Sequence, residues 1–168
     1  MSGLVVAIVG MAACVWDLRT QRIPNALTLS AAIAAVVFHA ATAGWQGIGF
    51  SVSGWLVGTL LFFPFFALRG MGAGDVKLLA AVGAWLGPRD VLYVAISTAI
   101  IGALFALALI MAQRRTQKTF RHMSAMLSIW SIDGVHTLSG LTLAEPSRLA
   151  FCYSLPITAG ALVTIWFG

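Results

Sequence analysis

The apolar and polar positions of the chain are grouped in long blocks rather than alternating with the short periods of a soluble fold. Six predominantly apolar stretches are separated by polar connections. A helix needs about 20 apolar residues to cross the hydrocarbon core of a bilayer. The second, third, fifth and sixth stretches therefore predict membrane spans directly, whereas the first and fourth are short and need separate support. The stretches run 3–16, 26–43, 48–68, 76–86, 91–112 and 149–167.

The positions of the basic residues support all six spans. With six spans, nine of the ten Lys and Arg residues fall in connections on one face of the membrane, and removing either short span would divide them between the two faces. Basic residues collect in cytoplasmic loops. The pattern predicts an all-α, polytopic membrane protein with six transmembrane helices. Both termini would lie outside, and the basic connections would be cytoplasmic.

Composition agrees with a membrane protein and excludes several other classes. The chain is 60% hydrophobic and only 9% charged, whereas a soluble domain carries about 25% charged residues. Disordered chains are poor in apolar residues, and two cysteines do not make a disulfide scaffold. The three histidines lack metal-ligand spacing. We expect no cofactor, no metal ion and no nucleic-acid partner.

No internal repeat or low-complexity linker divides the chain, so residues 1–168 are predicted to form a single membrane-embedded domain. Its one long connection, residues 113–148, is predicted to be cytoplasmic. Apolar residues recur there at near-helical spacing behind a basic segment. This pattern fits an amphipathic helix on the inner membrane surface. It fits equally well an ordinary loop helix that packs on the bundle.

Two aspartates at the membrane boundary are the candidate chemical groups, because ionisable residues at helix depth in a membrane protein are usually functional. Asp17 follows the first apolar stretch, and Asp75 stands at the start of the fourth. In the predicted topology both lie at cytoplasmic helix ends. If their helices are neighbours, the two acids form the minimum arrangement of a carboxylate pair that activates water.

Glycines at three alternating positions precede the second aspartate, namely Gly70, Gly72 and Gly74. Glycine permits unusual backbone conformations and the close approach of another chain. A structural interpretation is also open. Aspartate at a helix start is commonly an N-cap, and nearby cations such as Lys77 could pair with either acid. Asn25, after Pro24, is expected to cap the second span, and Gly54 and Gly58 have the spacing of a close helix contact.

The segments 17–25 (DLRTQRIPN) and 70–78 (GMGAGDVKL) closely resemble the two signature segments of the type IV prepilin peptidases. These are intramembrane aspartic proteases with a Gly-x-Gly-Asp motif, matched here by residues 72–75. The resemblance implies that Asp17 and Asp75 are the catalytic dyad at the cytoplasmic face. It also implies that Gly70, Gly72, Gly74 and Lys77 position the backbone or substrate.

The same resemblance implies a substrate, a location and a mechanism. The family removes the short basic leader of prepilins, just after a glycine that precedes the apolar pilin helix, by direct attack of water. It implies the bacterial inner membrane as location. It names the prepilin and the lipid bilayer as partners, with the pilus assembly machinery as a further possible one.

One departure from the family pattern points to a subtype. Larger members carry a cytoplasmic region with paired cysteines before the first signature and also N-methylate the mature pilin. Here the connection after the first apolar stretch is short and contains no cysteine. The chain resembles the short form that accompanies tight-adherence (Flp) pilus systems, which implies a peptidase without methyltransferase activity.

Two other classes of function stay open at this point. In the first, the aspartates form the proton relay of a small proton-coupled carrier. In the second, the chain is a noncatalytic subunit of a pilus assembly complex. Loss of the leader from a cognate prepilin separates the peptidase from both, because a carrier or a scaffold would leave the prepilin whole.

Overall fold

The structure is a computed structural model that describes residues 2–20, 23–68, 71–112 and 153–167, with side chains described except at 109–112 and 167. All of the regular structure in these ranges is helical, which confirms the predicted all-α class. The helices are α1 (Ser2–Thr20), α2 (Asn25–Ala67), α3 (Ala73–Leu86), α4 (Pro88–Ala112) and α5 (Ser154–Phe167).

Helix α2 is interrupted by a sharp kink at Gly44, where the backbone has a φ of 57° and a ψ of −136°. Few residues other than glycine adopt a positive φ without strain. The kink divides α2 into a first limb, residues 25–43, and a second limb, residues 45–67. It falls in the interval between the second and third predicted spans.

The two limbs run in opposite directions along α3, so α2 is a helical hairpin. Residues that contact α3 from the first limb advance in the same direction as α3, and those from the second limb advance in the opposite direction. Contacts of the first limb join Asn25 to Lys77 and His39 to Trp85; contacts of the second limb join Gly54 to Gly83 and Gly58 to Leu79.

Helix α3 is the centre of the packing, because ten of its 14 residues are buried. Side chains from both limbs of α2 donate hydrogen bonds to backbone carbonyls in the last turn of α3. His39 Nε2–H donates to the carbonyl of Trp85 at 3.2 Å, and the Ser51 hydroxyl donates to the carbonyl of Ala84 at 2.9 Å. In return, the Trp85 indole N–H donates to the carbonyl of Ala31 at 2.9 Å. These bonds satisfy polar groups that would otherwise be unpaired in an apolar interior.

The second limb of α2 packs against α3 at backbone contact. A Cβ built on Gly54 would overlap the backbone of Gly83, and a Cβ built on Gly83 would overlap the backbone of Gly54. One turn further on, a Cβ on Gly58 would lie 2.8 Å from the carbonyl oxygen of Leu79. The predicted close contact at Gly54 and Gly58 is therefore confirmed. Small residues allow the backbones of two helices to approach this closely. Such packing holds helices together in a membrane, where hydrophobic burial does not drive their association.

Helices α1 and α5 pack antiparallel to each other. The pairing runs from Gly3 beside Ile165, through Gly10 beside Thr158, to Asp17 beside Ser154. Helix α4 begins at a turn whose Gly87 has a φ of 88°, and its first half packs on α5. The end of α1, the start of α3 and the start of α5 consequently meet at one end of the bundle, here called the acidic end.

All of these contacts lie within one compact unit, residues 1–102 together with 152–168. A second unit, residues 103–151, contains the end of α4 together with residues outside the described ranges. The predicted long connection, 113–148, and Gly70 also lie outside the described residues. The prediction of a single domain stays a prediction.

The outer surface of the helices is apolar, with exposed side chains such as Leu29, Leu60 and Leu104 more than 60% accessible. Three helical segments in the described ranges are long and apolar enough to cross a membrane: α1, α2 and residues 88–108 of α4. The chain therefore has the character of a membrane protein. The six spans and the orientation of the termini stay predictions.

Candidate active site

The two predicted aspartates lie together at the acidic end. Asp17 is in the last turn of α1 and Asp75 is in the first turn of α3, and each is less than 10% exposed. Their carboxyl groups are close enough for their charges to interact. Segments 58 residues apart in sequence thus bring two acids into one buried site, which is the arrangement that allows a carboxyl pair to share a proton.

Helix α5 supplies a third polar group that sequence reasoning missed. The hydroxyl of Ser154, the first residue of α5, donates to Asp17 Oδ2 at 2.7 Å. Ser154 is fully buried. The neighbouring Tyr153 lies within electrostatic reach of Asp75. The start of α5 therefore contacts Asp17 and lies near Asp75. Nothing in the sequence around Ser154 marked it, because the contact joins residues 137 apart.

The glycines before Asp75 differ in what they contact. Gly72 has an extended backbone with a φ of −73°, which any residue can adopt. A Cβ on Gly72 would lie 3.2 Å from Asp75 Oδ2, so its missing side chain leaves space beside the carboxyl group. A Cβ on Gly74 would lie 3.1 Å from the Cβ of Ile23, a tighter contact than most. Gly74 thus lets the first signature segment pack against the second.

Lys77 joins the same two segments by a hydrogen bond. Its ammonium group donates to the side-chain oxygen of Asn25 at 2.9 Å. The expectation that Asn25 caps the second span is wrong. Pro24 occupies the cap position of α2 without a side-chain cap, and its carbonyl accepts the N–H groups of Leu27 and Thr28. Asn25 lies inside the first turn, where its side chain is bound by Lys77 instead.

The Lys77–Asn25 bond predicts coupled effects at the two positions. Lys77→Met and Asn25→Leu should each lower catalytic efficiency by less than about 10-fold, because a hydrogen bond to a charged group contributes about 1.5–3 kcal/mol at most and this one is exposed. The double variant should be no worse than the more damaged single variant, since both changes remove one bond. The measurement is kcat/KM for each purified single variant and for the double variant.

Arg89→Met is the matched control, because Arg89 is an exposed cation in the first turn of α4, away from the acidic end. It should retain the activity of the parent chain. Losses that multiply in the double variant would show that Lys77 and Asn25 act independently.

Comparison with known proteins identifies the family of the chain. The chain belongs to the type IV leader peptidase family, whose match covers residues 4–107 and therefore both aspartates. The resemblance seen in the two signature segments is thereby confirmed at the level of the family.

Three similar proteins carry the name prepilin leader peptidase/N-methyltransferase. The protein of Aeromonas salmonicida is 35% identical over 108 residues, which are 60% of this chain and 37% of the relative. The protein of Dickeya chrysanthemi is 39% identical over 77 residues, 42% of this chain and 27% of the relative. The protein of Escherichia coli K12 is 33% identical over 110 residues, 61% of this chain and 48% of the relative.

In each of these pairs the aligned part covers less than half of the relative's length. No solved structure matches the chain.

Proposed function

We propose that the chain is an aspartic-type endopeptidase of the membrane that removes the leader peptide of type IV prepilins. The observation that carries the proposal is the pair of buried carboxyl groups, Asp17 and Asp75, at one end of an apolar helical bundle. Family membership supports the substrate class. A proton relay across the membrane is less favoured, because both acids lie at the same end of the bundle rather than at successive depths.

The chemistry is that of two carboxyl groups holding one proton between them. The ionised group takes a proton from water while the protonated group donates its proton to the scissile carbonyl oxygen. The water oxygen bonds to the carbonyl carbon, and the C–N bond of the resulting tetrahedral intermediate then breaks. The amine leaves with the proton that the first carboxyl group took from water, and a hydroxyl of the intermediate returns a proton to the other carboxyl group. No covalent enzyme intermediate forms, and no cofactor is consumed.

The position of the pair suits a substrate that is half in the membrane. We propose that the acidic end faces the cytoplasm of a bacterial inner membrane, as the basic connections indicate. The basic leader would then stay in the cytoplasm while the apolar pilin helix lies in the bilayer, which places the bond between them at the depth of Asp17 and Asp75. Gly72 would give an extended substrate segment space beside Asp75, whereas the space at Gly74 is filled by Ile23.

Incubation of the detergent-solubilised chain with a cognate prepilin tests the function. The expected product is the pilin shortened by its leader, with the cut just after the glycine that precedes the apolar helix. An intact prepilin after incubation with a folded, monodisperse sample would exclude the peptidase and leave the carrier or the assembly subunit. An Flp-type prepilin is the substrate of choice, and the pilus assembly machinery is the proposed further partner.

We further propose that this chain removes the leader without methylating the product, although the relatives are named for both activities. The support is the short connection between α1 and α2, which holds no cysteine. The mass of the cleaved pilin, measured after incubation with S-adenosylmethionine, should equal that of the unmodified chain. An increase of about 14 Da, the mass of one CH₂, would contradict this part of the proposal while leaving the peptidase intact.

A further inference from the structure

The buried hydroxyl of Ser154 has a role that the two signature segments do not contain. We propose that Ser154 is a positioning residue of the peptidase, which fixes the orientation of the Asp17 carboxyl group from helix α5. This inference rests on the proposed function, since it assigns a task to Ser154 only if Asp17 is part of the reacting pair. Ser154 itself need not touch the substrate.

The geometry of the contact is that of a strong hydrogen bond. The Ser154 hydroxyl lies 2.7 Å from Asp17 Oδ2, with Ser154 fully buried and Asp17 only 8% exposed. Hydroxyl bonds to carboxylates are short and about twice as strong as bonds between neutral groups. In a buried site such a bond also holds one side-chain rotamer, because an alternative rotamer would leave two polar groups without partners.

Ser154 is itself held in place by α5 and α1. The Thr158 hydroxyl donates to the Ser154 carbonyl at 2.7 Å and lies 3.2 Å from Cys14 Sγ on α1. Pro156 is in the first turn of α5, where a missing N–H costs no helical bond. The first bond of the helix runs from the Ile157 N–H to the Tyr153 carbonyl at 3.1 Å. The hydroxyl is therefore presented from a rigid helix start.

The consequence for catalysis is that the two oxygens of Asp17 have different roles. Oδ2 accepts the Ser154 hydroxyl, so we assign the exchange of a proton with water or with Asp75 to Oδ1. Without the hydroxyl, the Asp17 carboxyl group could rotate out of the orientation in which it shares a proton with Asp75. Misorientation of a reacting group lowers the rate of the chemical step more than it lowers substrate binding.

Replacement of Ser154 by Ala tests the inference through the steady-state constants of prepilin cleavage. We expect Ser154→Ala to lower kcat by about 10- to 100-fold, the range for losing a bond to a charged group, while KM changes less than about threefold. Ser154→Thr keeps the hydroxyl and should recover most of kcat. Thermal unfolding of each variant in detergent is measured alongside, and Ser154→Ala should be fully folded at the temperature of the assay.

Thr98→Val is the matched control. Thr98 is a buried hydroxyl on α4 that also packs against α5, and its Oγ1 has no hydrogen-bond partner within the described residues. Thr98→Val should keep kcat within about threefold of the parent chain.

The outcomes separate failure of this inference from failure of the proposed function. A kcat for Ser154→Ala within threefold of the parent, in a chain that Asp17→Asn inactivates, would overturn the positioning role alone. An equal kcat loss in Thr98→Val, or a loss in Ser154→Thr as large as in Ser154→Ala, would also overturn it and assign Ser154 to packing. Full cleavage by Asp17→Asn would instead overturn the proposed function on which the inference rests.

Discussion

Asp17→Asn and Asp75→Asn are each expected to abolish removal of the prepilin leader, lowering kcat by about 10³-fold or more. Asparagine has nearly the size and shape of aspartate but cannot take up or release the proton that the reaction moves. The double variant should be no less active than the worse single variant, because the two carboxyl groups act as one unit. Time courses of cleavage with purified variants provide the measurement.

Folding should survive both substitutions. The two acids are buried beside each other, so neutralising one removes a repulsion and should leave thermal stability equal or higher. Asp90→Asn is the matched control, since Asp90 also lies in the first turn of a helix, α4, but at the end of α3 opposite to Asp75. It should cleave at the parent rate. Full activity of either Asp17→Asn or Asp75→Asn would refute the dyad.

Gly54→Val is expected to destabilise the fold by about 3 kcal/mol or more, the upper range for forcing extra atoms into a packed interface. A Cβ on Gly54 would overlap the backbone of Gly83, and backbone in a buried helix has no rotamer by which to move aside. The second limb of α2 and helix α3 would have to separate. The yield of folded protein and the Tm in detergent should both fall.

Gly49→Val provides the comparison within the same limb. A Cβ built on Gly49 meets nothing within 4 Å, so the same substitution there adds no clash. We expect a change of less than about 1 kcal/mol, since the residue is in a helix and valine has the better helix propensity. If Gly54→Val and Gly49→Val had equal Tm values, the close approach of Gly54 to Gly83 would not stabilise the fold.

Much of the site was predictable because its chemistry is local in sequence. Asp17 and Asp75 stand where apolar stretches meet polar connections, and a chain with five acidic residues offers few alternatives. The pairing of the two acids needed only the expectation that their helices are neighbours. Gly54 and Gly58 were predictable for the same reason, since a four-residue spacing of glycine describes one helix face.

The contacts that were missed join distant parts of the chain. Ser154 lies 137 residues from Asp17, and no motif of its own distinguishes it from other serines at helix starts. A local rule predicted that Asn25 caps a helix, but the Asn25 side chain instead accepts a hydrogen bond from Lys77 on α3. Local preferences of this kind give way when a tertiary partner forms a better bond.

The short length of α3 affects the depth at which the acidic end lies in the bilayer. At about 1.5 Å per residue, a 14-residue helix is about 21 Å long, whereas the hydrocarbon core is about 30 Å thick. Helix α3 is buried among longer helices, such as the 19-residue α1, so it does not face the lipid. At least one of its ends therefore lies short of the boundary that a full span would reach. Because Asp75 is in the first turn of α3, we expect the proposed carboxyl pair to act on a peptide bond deeper than the headgroup plane.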